Sequence, residues 1–264
     1  MRASRYVAQW GVSHSETNGG IQYLLATTHM QVVLGMSPAE AGLWQLPVII
    51  PGIVAAVVGT GISQKIGTPP VLIAGLLVGS VGFGVLTQID GNSGTALVVV
   101  SSAIMFIGLA PVMALGIGTI VQAAPVERAG AASALASTTN ELGGAVGIAL
   151  VGSLATAVYG ATLDDNLPSG VTGAAHEAAR SSVSEAAAVA GELPGRVGGE
   201  LSAAAHDAFA HGTEIASFVS IGVLLAMAAL VAVLLRRALP APSAQPEPQP
   251  VGITEEAVPT GAQN

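Results

Sequence analysis

The chain has 264 residues, 51% of them hydrophobic and only 9% charged, with a formal net charge of −8 and a mean hydropathy of +0.67. A soluble domain has about a quarter of its residues charged, so too few polar groups remain here to cover a water-soluble globule. The absence of cysteine excludes a disulfide framework or a thiolate metal site, and the eight scattered Lys and Arg residues leave no nucleic-acid footprint.

The opening "MRASRYVAQWGVSHSETNGG" has basic residues at Arg2 and Arg5 but no compact apolar core, so it is not read as a secretory signal. It stands apart as an atypical N-terminal segment, residues 1–20. The next stretch, "IQYLLATTHMQVVLGM" over 21–36, is a partial helix, short for a membrane span and carrying Gln22, His29 and Gln31. Five apolar runs follow, each of the length (about 20 residues) that crosses a hydrocarbon core as a helix. They cover about 43–63, 70–87, 95–122, 131–159 and 215–235. Backbone groups have no water partner in lipid, so each run must be helical or covered by protein. The fold class expected is therefore an all-α integral membrane protein of five to six transmembrane helices within residues 21–237.

The connections carry the topology. Lys65 follows the first long run, Arg128 precedes the fourth, and Arg236–Arg237 close the last. If all five runs cross, these lie on one side, which the distribution of basic residues makes cytoplasmic. The opposite short loops, "SPAEAG" and "QIDGNSG", have no basic residue. The outer loop, 160–214, is rich in Ala, Gly and Glu. It is expected to hold short surface helices around "AAHEAARSSVSEAAAVA", broken by "GELPGRVGG". The Pro-rich tail, 238–264, reads as disordered and cytoplasmic.

Several residues interrupt the apolar pattern. Pro47, Pro51 and Pro111 remove helix hydrogen bonds and invite kinks. Gly75 with Gly79, and Gly143 with Gly147, make GxxxG pairs that let helices approach closely, for simple packing or for sliding during transport. Glu141, in "STTNELGGAVGIALVG", lies about 15 Å into a helix that starts near residue 131. An acid at that depth is costly and is a functional candidate. One reading has Glu141 facing a central cavity and exchanging a proton. The other has it bonded to a neighbouring helix through Asn140 or Thr139, or facing cytoplasmic water. Gln22 and His29 are seven residues apart and share a helix face. With Gln31 they either line a substrate path, where an imidazole titrates near neutral pH, or mark an imperfect helix. Trp44, beside Gln45 at the outer edge of the first run, is an interface anchor. Glu127 and Arg128 serve topology and the helix dipole. His176, His206 and His211 lack the spacing of a metal pair. No phosphate loop, nucleophile elbow or HExxH appears, so neither an enzyme nor a cofactor is expected.

Two stretches carry a family resemblance. "MQVVLGMSPAEAGLWQLP", residues 30–47, resembles the "YLQxVLGxSPxxAGLxxLP" stretch of the major facilitator superfamily, in particular its fourteen-span drug:proton antiporter branch. "APVERAGAASALASTTNELGGAVGIALVGSL", residues 124–154, resembles that branch's penultimate span and preceding cytoplasmic loop, and "QKIGTPPVLIAGLLVGSVGFGVLTQ" fits the intervening loop and span. The resemblance covers about residues 21–237 and only the C-terminal six-helix bundle of the family fold. The family's glycine-proline antiporter motif and its basic-acidic loop motif, which belong to the N-terminal bundle, are not found. "SQKIGTPP" is at best a pseudo-repeat remnant of the second. The opening 20 residues do not resemble the family, as expected of an altered start, a shifted frame or a rearranged gene. The resemblance implies export of small amphipathic molecules driven by proton entry. The partners would be the lipid bilayer, a small-molecule substrate and protons, with a second copy or a separately made N-terminal half. The alternative is a truncated membrane protein that does not transport.

Overall fold

The computed structural model describes residues 20, 22–89, 94–122 and 124–238. The atypical segment (1–19) and the Pro-rich tail (239–264) lie outside the described residues. Everything regular among the described residues is helical. Helix α1 covers residues 22–33, an α-helix over 22–28 that widens into a π-helical turn at His29–Val33. It ends where Gly35 takes a positive φ of 66°, a conformation open to glycine at no steric cost. Four long helices follow: α2 Pro38–Ile66, α3 Thr68–Leu86, α4 Thr95–Gln122 and α5 Ala129–Asp165. Two short ones, α6 Ala174–Ser181 and α7 Val183–Glu192, lead to α8, Gly195–Ala238.

Helix starts follow local chemistry. "SPAEAG", expected as a loop, instead opens α2. Ser37 Oγ accepts the Glu40 N–H at 3.3 Å, while the Glu40 carboxylate accepts the Ser37 N–H at 2.8 Å, with Pro38 at the first position. This reciprocal capping box satisfies two donors that would otherwise lack partners. Pro47 and Pro51 are accommodated inside α2, and Pro111 inside α4.

The five helices α2, α3, α4, α5 and α8 are long and apolar enough to cross a membrane, the fold expected from the sequence. Short connections reverse the chain between them, so Lys65 and Arg128 share one end of the bundle, while α6 and α7 cap the other. Helix α3 packs between α4 and α8, α2 lies against α4, and α5 lies against α8. The main core joins α1, α3, α4 and α8 through Met30, Leu76, Phe83, Met105 and Leu224, all buried.

Glycine sets the closest crossing. A Cβ placed on Gly75 would lie 2.5 Å from the Gly108 carbonyl oxygen, and one on Gly79 would lie 2.9 Å from Leu109 Cδ2. The Gly75–Gly79 pair is therefore a packing seam against Gly108 of α4, the ordinary use of small residues between membrane helices.

The stretch 160–214 is mostly ordered helix. Helix α5 has 37 residues, about 55 Å long, against a hydrocarbon core of about 30 Å. Its far end packs with α6, α7 and the first turns of α8 around Tyr159, Leu163, Ala179, Leu201 and Ala208. Helix α8 starts at Gly195, well before its apolar run, because Pro194 ends the preceding segment and "ELSAAAHDAFAH" is a strong helix former with a buried alanine face. Asp164 ties α6 to α5, accepting from Arg180 Nε at 2.8 Å and bonding His176 Nε2 at 2.7 Å. The Tyr159 hydroxyl donates to the Ala179 carbonyl at 2.8 Å.

Candidate functional site

The sequence candidates fall into two groups. The first belongs to α1, whose inward face is fastened to the bundle. Gln22 is buried, and its Nε2 donates to Ser102 Oγ on α4. Ser102 in turn donates to the Val98 carbonyl at 2.7 Å. One face and two turns along, His29 is also buried, its ring stacked on Phe209 of α8 with centroids 6.5 Å apart and planes 25° from parallel. Gln22 and His29 thus share a face, as their spacing requires, and the contacts on that face are protein side chains. Gln31 sits half-buried in the π-helical turn. Such turns occur mostly as single insertions and are frequent at functional sites.

The second group lies on α5. Glu141 is exposed, about 18 Å along the axis from Ala129. Its neighbours Leu135, Leu142, Val146 and Leu150 are exposed as well. Asn140, by contrast, is half-buried, and its Oδ1 is enclosed without a hydrogen-bond partner. Helical spacing sets Glu141 on one stripe with Ile148, Gly152 and Ala155. Higher on that stripe α5 meets Gly20, two residues before α1: a Cβ there would come within 2.9 Å of Ile148 Cδ1. Glu141 therefore follows the Gly20 contact toward the basic end, about 10 Å below Ile148.

Exposure of this kind has a restricted physical meaning. An ionisable side chain at mid-depth facing lipid tails is strongly disfavoured, and such residues face a bundle interior or a water-filled cavity. Glu141 and the exposed apolar side chains around it lie on the uncovered surface of α5. Helix α2 also exposes a long apolar face, including Ile50, Ile53 and Val57.

Some polar residues within the spans escaped the sequence reading. Ser101 and Ser102 on α4, and Thr213, Ser217 and Ser220 on α8, are all buried. Ser102 is the partner that fixes Gln22, and its signal was the adjacent serine pair inside an otherwise apolar run. Gln45, read as an outer-edge residue, is buried with its Nε2 lacking a hydrogen-bond partner, whereas Trp44 beside it is exposed.

Comparison with known proteins agrees with this architecture. The profile of the Major Facilitator Superfamily matches residues 15–163. The multidrug efflux pump LfrA of Mycolicibacterium smegmatis is 33% identical over 209 residues, covering 79% of this chain and 41% of that protein. The tetracenomycin C resistance and export protein of Streptomyces glaucescens is 34% identical over 240 residues, covering 88% of this chain and 44% of that protein. The methyl viologen resistance protein SmvA of Salmonella typhimurium is 30% identical over 206 residues, covering 77% and 41%. The chain thus spans about two fifths of the length of these relatives. With its membrane-length helices and a profile match across more than half its residues, the chain belongs to the major facilitator superfamily.

Proposed function

We propose that this chain supplies one wall of a proton-coupled export pathway for small amphipathic molecules, with Glu141 as the proton-exchanging group. The observation that carries the reading is the exposed side chain of Glu141 within the membrane-length helix α5; an acid inside a span calls for an aqueous or protein-lined surface opposite it. The names of the relatives, an efflux pump and two resistance proteins, supply the substrate class. In this reading the Lys65 and Arg128 end faces the cytoplasm, where basic loop residues are retained. The opposite wall comes from a second helical bundle facing α2 and α5, because secondary transporters place their sites between two repeats. That bundle is either a second copy of this chain or a separately made N-terminal half.

The test is proton-gradient-driven movement of a fluorescent cationic dye. The chain is measured in proteoliposomes alone, and then together with the N-terminal half of LfrA. Dye movement that collapses with an uncoupler and falls at least tenfold in Glu141→Gln supports the proposal. Movement undiminished in Glu141→Gln overturns the role of Glu141. No movement in either preparation, with the protein inserted, favours a membrane protein that does not transport.

A further inference from the structure

Helices α2, α3 and α4 meet at residues with little or no side chain. A Cβ on Gly59 of α2 would lie 2.7 Å from Pro111 Cβ on α4, and one on Gly75 of α3 would lie 2.5 Å from the Gly108 carbonyl oxygen. Nothing bulky stands above these contacts, so an apolar groove of about 440 Å³ runs between α2 and α3 with α4 as its floor. Val54, Val58 and Ile62 of α2 form one wall, and Ala74 and Val78 of α3 form the other. All five are exposed, and no lining residue has a polar side chain. An open apolar groove on membrane-length helices suits a chain that already lies in lipid, not a molecule captured from water.

Length and charge give the groove a direction. From Pro51 to Ile62 its α2 wall covers about 17 Å, close to the ~15 Å of hydrocarbon in one leaflet. Val54, Val58, Ile62 and Lys65 recur at intervals of four, four and three residues, so they share one stripe of α2. Lys65 thus stands one turn beyond the end of the groove. It is exposed and is the sole charged residue between Glu40 and Asp90. It belongs to none of the ion pairs among the described residues. The first turn of α3 begins at the same end, at Thr68, and a helix start carries partial positive charge. A lysine so placed lays its methylenes along apolar surface and holds its ammonium at the level of the headgroups.

We propose that this groove holds one acyl chain of an anionic phospholipid whose phosphate meets Lys65. A zwitterionic lipid carries its own cation beside the phosphate, whereas an anionic one leaves its charge to the protein. The outward face of α2, with Ile50, Ile53 and Val57, is turned roughly 100° from the Val58 stripe. A second bundle on that face therefore leaves the groove open, and the site is independent of the proton-exchange reading of Glu141.

The test is native mass spectrometry of the chain released from nanodiscs that contain dioleoyl phosphatidylglycerol and dioleoyl phosphatidylcholine in equal amounts. The expected result is one phosphatidylglycerol retained per chain, at least about fivefold in preference to phosphatidylcholine. Lys65→Gln should cut that preference about fivefold, the effect of one basic group at an anionic surface. Ala74→Phe, which fills the groove from an exposed position, should abolish retention, and Val57→Phe on the outward face should leave it unchanged. Circular dichroism and size exclusion check that each variant is folded, and Val78→Phe, one turn along the same wall, replaces Ala74→Phe if that variant fails the check. An excess of glycerol 1-phosphate, which has the headgroup charge without the chains, should displace nothing. Equal retention of the two lipids, a preference that survives Lys65→Gln, or retention that survives filling of the groove would each overturn the proposal. So would displacement by glycerol 1-phosphate, or a dimer that carries no lipid, which would assign the groove to a second copy of the chain.

Discussion

The crossing of α3 and α4 makes a quantitative prediction. In Gly108→Ala the new Cβ would stand 2.5 Å from the Gly75 carbonyl oxygen and 3.0 Å from Gly79 Cα. Carbon–oxygen contacts of this kind settle at about 3.3–3.6 Å, so the helices must part by roughly 0.8–1 Å. A gap of that size forfeits about a quarter to a half of the dispersion well along the seam, and overpacking of this type costs about 1–3 kcal/mol. Replacing a mid-helix glycine by alanine returns about 0.5–1 kcal/mol, which leaves a net loss of up to about 2.5 kcal/mol. The control is Gly61→Ala in α2, where a Cβ meets nothing within 4 Å and only the helix gain of about 0.5–1 kcal/mol applies. The two variants should therefore shift in opposite directions in reversible unfolding titrations in mixed micelles. If Gly108→Ala proves as stable as Gly61→Ala, the seam is not close-packed and the argument fails.

Two further predictions concern the fastenings. Gln22→Ala leaves the Ser102 hydroxyl without its α1 partner and should destabilise the fold by about 1–3 kcal/mol. The double variant with Ser102→Ala should cost less than the sum of the single changes, and a double-mutant cycle that shows strict additivity would remove the bond from the account. Asp164→Ala should release α6, because it removes the acceptor shared by Arg180 and His176. Hydrogen exchange in residues 174–181 should speed up while α3 and α4 stay protected, and unchanged exchange there would show that Tyr159 and apolar packing alone hold the cap.

The membrane fold was legible because hydrocarbon length and the demand for internal hydrogen bonding act on runs of residues rather than on particular ones. That is why the apolar runs from 43 to 159 coincide with α2 to α5 to within several residues. The reading was weakest where polar sequence is helical for other reasons. "SPAEAG" has the composition of a loop, yet Ser37 and Glu40 cap each other across one turn. Residues 195–214 have low hydropathy, yet their alanine face is buried on α5 and α7.

The candidate site separates in the same way. Position along the helix gave Glu141 its depth, but depth alone does not say which way a side chain faces. Asn140 and Glu141 are adjacent, so helical geometry turns them about 100° apart, and only one can lie on the stripe with Ile148 and Gly152. The structure puts Glu141 there, exposed, and turns Asn140 into the bundle. Glu141 lies about 18 Å along α5 from Ala129, in a helix about 25 Å longer than the hydrocarbon core is thick. Where Glu141 lies inside the hydrocarbon core, its charge requires an aqueous or protein-lined space beside α5, and the Glu141→Gln dye assay tests whether a proton is exchanged there.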